Sequence, residues 1–463
     1  MGPLKLMELW DEAQEHHIAG RYAEAEAIYD NILTQNQKNA GLLATMGTLY
    51  LQTEQLGKAI MFLTRSVELM KNEKRADVMS NLALAYKYAG HHDMAEQWFK
   101  KSVESNPSAA ALANYGSLYI EAGTPHQAIE IYDKALALDP QLEHAHWNMS
   151  MSLLELGKWD RAWDAYEWGL KQGSRIDRKI ADAPYWDGTK GKTVAVYGEQ
   201  GIGDEIMFAS MIPDLMKDAN VIFECHTRLK TLFENSFGVK CYGTREDADI
   251  KWPENHKIDY RISIGSLGKF YRRSKEAFPG TPYLKTTPLP KGDKFRVGIS
   301  WTGGRVAKRV RLRTVPLSWW KSILNVPNVE FVSLQYTDCA EEIKLVEKEG
   351  YSIRQFGEVT EFDYNETAKL VASCDLVISV CTSVIHLAGA LGVPCWVMTP
   401  SRPAWRYGYE GPMPWYRSVR LYRQPKGDVE TWIPVIQKIG LDLDDLVASQ
   451  RRIIRLDDMR RVA

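Results

Sequence analysis

The chain has 463 residues, a length that suits about three domains better than one core. Its 58 basic and 59 acidic side chains balance to a net charge of -1, and 45% hydrophobic with 25% charged residues is the composition of a globular chain, which argues against overall disorder and against a basic surface for nucleic acid. The start, MGPLKLMELWDEAQEHH, carries acidic residues where a signal peptide needs an apolar run, and no stretch approaches a membrane-spanning length, so a soluble, cytoplasmic protein is expected. All six cysteines (Cys225, Cys241, Cys339, Cys374, Cys381, Cys395) lie in the second half, with no C-x-x-C pair and no histidine at zinc spacing, and read as reduced thiols with no metal site.

The first half repeats itself. A small residue recurs at Ala25, Ala59, Ala95, Ala128 and Ala162, each followed four positions later by a large one (Tyr29, Leu63, Phe99, Tyr132, Tyr166). Upstream stand further small-then-large pairs, Gly47 with Tyr50, Ala83 with Tyr86 and Gly116 with Tyr119. The small residue lets two helices approach, and the large one lies on the same helix face. Gly20, Gly90, Gly123 and Gly157 fall in the turns, and Pro107 and Pro140 follow second helices. With a period near 34 residues, this resembles the tetratricopeptide repeat family: an α-solenoid of about five units over residues 1–172, with a two-residue insertion near Asn72 to Arg75.

Residues 173–191, rich in Gly, Asp and basic side chains, read as a linker or docking segment. Short apolar runs then alternate with amphipathic ones: TVAVYG, DEIMFASMIPDLMKD, NVIFECH, RLKTLFENSF, VKCYG. After the break TTPLPKGDK comes a second series, with FRVGISW, VEFVSLQ, SIRQFG, DLVISV and PCWVMTP as strands and FDYNETAKLVASC and SVIHLAGALG as helices. The alternation predicts two Rossmann-like domains with parallel sheets, at 192–288 and 289–463, and a cleft at the carboxyl ends of the strands.

Three clusters carry the candidate chemistry. Gln200, Gly201 and Gly203 form a glycine-rich turn that opens a helix, where backbone N–H groups favour an anionic or polar ligand. Asp204 follows as a general base or, equally, as a first-turn helix charge. The pattern is G-x-x-G-x-G and not the dinucleotide fingerprint, although Glu224 ends the next strand at the distance a nicotinamide enzyme would use. Cys381, Thr382, Ser383 and His386 run from a strand end into a helix, a start suited to a diphosphate, with His386 either a phosphate donor or a core histidine. Trp301, Thr302, Gly303 and Arg305 precede the basic run Lys308, Arg309, Arg311, Arg313, whose guanidiniums match phosphate oxygens or are solvated surface. Gln335 reads a nucleobase edge or caps its strand. Trp405 and Arg406, in an aromatic Gly/Pro-rich loop, suit sugar contacts or packing.

In their order, YWDGTKGKTVAVYGEQGIGDEIMFASMIPDL, VGISWTGG with RLRTVPL, and DLVISVCTSVIHLAGALGVPCWVMTPSRPAWRYG resemble TPR-containing glycosyltransferases related to the bacterial heptosyltransferases (glycosyltransferase family 9-like), and in architecture the O-GlcNAc transferases. The resemblance implies a GT-B fold, donor binding mainly in the second domain, and inverting, metal-independent transfer with no cofactor, the nucleotide-diphosphate sugar being the substrate. It makes Asp204 the base, places Thr382, Ser383 and His386 at the diphosphate, and gives a protein or peptide acceptor to the repeats. Cys381 departs from the aspartate that relatives carry. That departure supports the alternative of a TPR scaffold with a degenerate, non-catalytic nucleotide-sugar domain. Self-association into a homo-oligomer is compatible with either.

Overall fold

The computed structural model describes residues 2–71, 75–303, 313–356, 363–427 and 429–462. The expected insertion near Asn72 lies largely outside them. The chain divides into two compact units, Met1–Leu153 and Leu154–Ala463.

The first unit is a solenoid of helical pairs: α1 (Pro3–Ile18) with α2 (Tyr22–Gln35), α3 (Ala40–Gln52) with α4 (Leu56–Leu69), α5 (Arg75–Tyr88) with α6 (His92–Ser105), and α7 (Ala109–Ala122) with α8 (Pro125–Leu138). The repeated small and large residues of the second helices are fully buried. The small residues of the first helices receive them: a Cβ on Gly116 would stand 2.9 Å from the Tyr132 ring, and one on Gly47 2.6 Å from the Leu63 side chain. Polar tips join successive repeats, with Tyr50 donating to Glu26 at 2.7 Å and Tyr119 to Glu96 at 3.0 Å. The turn glycines Gly20, Gly90 and Gly123 take φ of 74°, 83° and 70°, the left-handed region a helix end requires. In the second repeat Glu54 takes that conformation instead, with φ 56°.

The ninth helix, α9 (Glu143–Glu155), crosses the unit boundary, and α10 (Trp159–Tyr166) belongs to the second unit. There the Trp163 ring fills the space over Gly268, where a Cβ would approach it to 2.6 Å, and its Nε1 donates to the Arg272 carbonyl at 2.7 Å. The second half of the fifth repeat is therefore part of the α/β core. The segment expected as a linker is also packed, with Arg175, Ile180 and Trp186 buried.

Two parallel sheets form the second unit. The first, in the order β3-β2-β1-β4, contains β1 (Thr193–Tyr197), β2 (Asn220–Glu224), β3 (Lys240–Tyr242) and β4 (Tyr260–Ser263). The second, in the order β10-β9-β8-β5-β6-β7, contains β5 (Phe295–Ser300), β6 (Val329–Ser333), β7 (Ile353–Arg354), β8 (Leu376–Val380), β9 (Cys395–Thr399) and β10 (Val419–Arg423). The central strands β5, β8 and β9 are buried along their whole length, as strands covered on both faces must be. The run expected as one helix, DEIMFASMIPDLMKD, is two, Ile202–Phe208 and Ile212–Asp218, because the Pro213 ring conflicts with the carbonyl four residues earlier.

Two substitutions in the solenoid should act in opposite directions. Gly116→Val drives a side chain into the Tyr132 ring and should lower stability by about 1–3 kcal/mol. Glu54→Gly relieves a left-handed non-glycine and should raise it by about 1 kcal/mol. Urea unfolding followed by helical circular dichroism checks both.

Candidate functional site

A cleft of about 590 Å³ lies between the two sheets of the second unit. Its lining comes from the chain just after strand ends: Gly201–Asp204 after β1, His226 and Arg228 after β2, Arg245 and Glu246 after β3, Arg313 after β5, Tyr336 after β6, Cys381–Ser383 after β8, and Arg406 and Tyr407 after β9. Parallel sheets put loops and helix N-termini at that edge, which is where ligands of such folds sit.

The second sheet reverses its winding between β5 and β8, and the loops leaving these strands come together there. A Cβ on Gly303 would stand 2.9 Å from Thr382 Cγ2 and 3.0 Å from the Cys381 carbonyl, so the approach admits no side chain. Thr382 caps the helix Ser383–Leu391, its Oγ1 accepting the Val384 N–H at 3.3 Å, and Ser383 shares a 2.5 Å hydrogen bond with Tyr364. Cys381 donates to the Met398 carbonyl at 3.7 Å; burial pushes its thiol up to about 11, so it is neutral. His386 is buried, 3.2 Å from Tyr416 Oη, and is held well below the ordinary histidine range by burial and by the charges of Arg406 and Arg313. It stands in the cleft as a neutral ring.

Across the cleft, Gly203 touches this helix: a Cβ there would lie 3.1 Å from His386 and 3.2 Å from the Ser383 Cα. Asp204 uses both oxygens. Oδ2 accepts the Gly201 N–H at 3.3 Å, and Oδ1 forms an ion pair with Arg406, from the other half of the unit. Behind it, buried Glu205 accepts the His226 N–H at 2.8 Å and a bond from Arg245 at 2.7 Å. Burial outweighs these and lifts its carboxyl to about 7.

The turn is held from below by Arg175. This fully buried guanidinium donates to Glu199 at 2.9–3.2 Å, to Ser263 at 3.0 Å, to Ser266 at 2.8 Å, and to Glu167 and the Tyr166 carbonyl. It also lies 4.2 Å from the centre of the Tyr166 ring. Burial favours losing its charge, but Glu199, Tyr166 and Glu167 together hold it protonated. Gln200, with φ 62°, donates to Tyr166 Oη at 2.7 Å.

Of the residues expected from sequence, the cleft gathers Gly201, Gly203, Asp204, Arg313, Cys381, Thr382, Ser383, His386 and Arg406. Arg309 and Arg311 lie outside the described residues. Five others hold the structure together. Trp301 is fully buried, with Nε1 donating to Glu342 at 3.0 Å, and Trp405 packs among Trp163, Phe208 and Trp415, so neither ring faces a sugar. The Gln335 amide is spent on the strand-end loop: it accepts from Ser300, Trp301 and Thr302 at 3.2 Å and donates to the Thr302 carbonyl and Thr337 at 2.9 Å. Thr302 is thereby tied through its backbone. Glu224 is buried against Arg178, at 2.7 and 2.8 Å, and does not face a ribose. Sequence reasoning missed His226, Arg228, Arg245, Glu246, Tyr336, Tyr364 and Tyr407; most of them stand just past a strand end, which was the available signal. Among the described residues, no group of three or more His, Cys, Asp or Glu is placed to hold a metal ion, and no helix is long and apolar enough to cross a membrane.

Tetratricopeptide repeat models match residues 39–108 and 80–143. Protein FlbA of Caulobacter vibrioides is 30% identical over 444 residues, covering 80% of this chain and 73% of that protein. Two distant relatives are named as transferases. Protein O-mannosyl-transferase TMTC1 of Homo sapiens is 31% identical over 80 residues, 17% of this chain and 9% of that protein. Probable UDP-N-acetylglucosamine--peptide N-acetylglucosaminyltransferase SPINDLY of Hordeum vulgare is 28% identical over 156 residues, 32% of this chain and 16% of that protein. Among solved structures, the crystal structure of MamA aligns with TM-score 0.31 and 21% identity, over 35% of this chain and 94% of that one.

The buried lock and the buried carboxyl each make a prediction. Arg175→Met leaves Glu199 unpaired and should cost about 3–5 kcal/mol, part of which returns in the double variant with Glu199→Gln, as denaturant unfolding would show. Glu205 has a folded pKa above its ordinary value, so the native state binds the extra proton between pH 4.5 and about 7. Its contribution is fully present below pH 4.5 and is lost as the pH rises through 7. Melting curves over this range should therefore be flatter for Glu205→Gln, by about 3 kcal/mol across the window.

Proposed function

We propose that this chain, which belongs to the family of Protein FlbA of Caulobacter vibrioides, is an inverting glycosyltransferase of GT-B type that moves a sugar from a nucleotide-diphosphate donor to an acceptor hydroxyl. The observation that carries the reading is the open switch point between β5 and β8. There the N-terminus of the helix Ser383–Leu391, the Thr382 and Ser383 hydroxyls, Arg313 and Arg406 converge on one cleft, with the Asp204 carboxylate opposite. The similarity to two proteins named as sugar transferases supports it.

In the proposed reaction the acceptor oxygen forms a bond to the anomeric carbon while the bond from that carbon to the diphosphate oxygen breaks. The electron pair leaves with the nucleoside diphosphate, and the acceptor proton passes to Asp204. Charge growing on the leaving diphosphate is met by the helix N-terminus and the guanidiniums in a partly water-excluded site. This set supplies the neutralisation that a metal-independent transfer needs. Neutral His386 adds a donor or acceptor without competing for charge. The repeats are proposed to hold a protein or peptide acceptor, as helical-repeat surfaces commonly do.

Incubation with pooled nucleotide sugars and cell lysate, read by mass spectrometry, should show a sugar mass added to an acceptor. Asp204→Asn should lower turnover about a hundredfold or more. No transfer, together with no thermal shift from any nucleoside diphosphate, contradicts the proposal.

A further inference from the structure

Asp204, in the first turn of the helix Ile202–Phe208 after β1, and Arg406, in the turn Trp405–Tyr407 after β9, are 202 positions apart, and they meet across the cleft as an ion pair whose side chains are 17% and 14% exposed. Asp204 has no uncommitted oxygen, since Gly201 holds the second. Arg406 has donors in hand: its Nε is buried without a hydrogen-bond partner among the described residues. Its loop backbone is pinned, with Arg423 donating to the carbonyls of Tyr407 at 2.8 Å and of Gly408 and Gly411 at 3.1 Å. Arg406 can therefore change partner by turning its side chain, with the loop fixed.

We propose that the Asp204–Arg406 pair is a donor-released latch. With the latch closed, Arg406 occupies the carboxylate; a nucleoside diphosphate entering at Thr382–Ser383 draws the guanidinium onto its oxygens and frees Asp204 Oδ1 for the acceptor hydroxyl. The inference rests on the nucleotide-sugar reading of this cleft and adds to it an order: donor first, acceptor second. The chemistry favours the exchange. A guanidinium binds carboxylate and phosphate by the same forked geometry, and a diphosphate offers more charge and more acceptor oxygens than one carboxylate. The device also keeps the acceptor hydroxyl off the carboxylate until a leaving group is in place.

Calorimetric titration of the full chain with UDP, GDP, CDP, ADP and dTDP tests it. Removing the competing carboxylate in Asp204→Asn should tighten binding of the preferred diphosphate about fivefold or more. Arg406→Gln should weaken it about tenfold or more, and the gain from Asp204→Asn should vanish in the Arg406→Gln background. Equal or weaker binding by Asp204→Asn overturns the latch, as does a gain that persists without Arg406. In those cases binding to the unaltered protein leaves the nucleotide-sugar reading standing, whereas no binding to the unaltered protein or any variant removes both. Thermal melting establishes that each variant is folded; were Asp204→Asn to unfold, undiminished binding by Arg406→Gln would by itself overturn the proposal.

Discussion

The buried guanidinium of Arg175 fixes the relation between the pieces of chain from which one wall of the cleft is made. It joins the end of the fifth repeat, through Glu167 and Tyr166, to the turn after β1, through Glu199, and to the end of β4 and the turn that follows, through Ser263 and Ser266. A charge taken out of water is tolerated only when its hydrogen bonds are met, and here the partners come from three segments, so the segments cannot move independently without exposing an unpaired ion. The left-handed Gln200 is fastened to the same anchor, donating to Tyr166 Oη.

The same interaction explains why the two sheets play different roles. Each is wound in both directions from its first strand, so each has a crevice where the winding reverses: between β1 and β4 in the first, between β5 and β8 in the second. In the first sheet the crevice is filled, with Glu199 receiving the Gly265 N–H at 3.1 Å and Arg175 packed beneath. In the second it opens into the cleft, with Thr382 and Gly303 at its edge. Where Gly203 meets Ser383 and His386, the filled half is pressed against the open one, and a Cβ at this position would stand closer than ordinary contact, 3.1 Å from His386 and 3.2 Å from the Ser383 Cα.

Much of this fold was legible because its signals are periodic or continuous. The repeat register at Ala25, Ala59, Ala95 and Ala128 is a steric requirement of helix packing and appears in every unit. The strands β5, β8 and β9 are buried on both faces and so read as unbroken apolar runs. The edge strands β4 and β10 were not recognised: they are partly exposed and carry Arg261, Arg420 and Arg423, which interrupt the run. At the site, residues announced by local backbone chemistry, such as Gly203 and Thr382, were found. Side chains whose direction depends on tertiary packing were not: Trp301 and Trp405 turn inward, Gln335 ties the neighbouring loop after β5, and Arg175, a basic residue in a polar segment, carries no sequence mark of burial. The pairing of Asp204 with Arg406 could not be read either, because it joins a helix start and a turn some two hundred residues apart.

The measurement that tests the central claim most directly is a crystal structure of the chain with a bound nucleoside diphosphate. The diphosphate should lie at the N-terminus of the helix Ser383–Leu391, within hydrogen-bond reach of Thr382, Ser383 and Arg313, with its nucleoside on the side of the second sheet. A nucleotide lodged instead at the first sheet's switch point beside Glu199, or outside the cleft altogether, would contradict it.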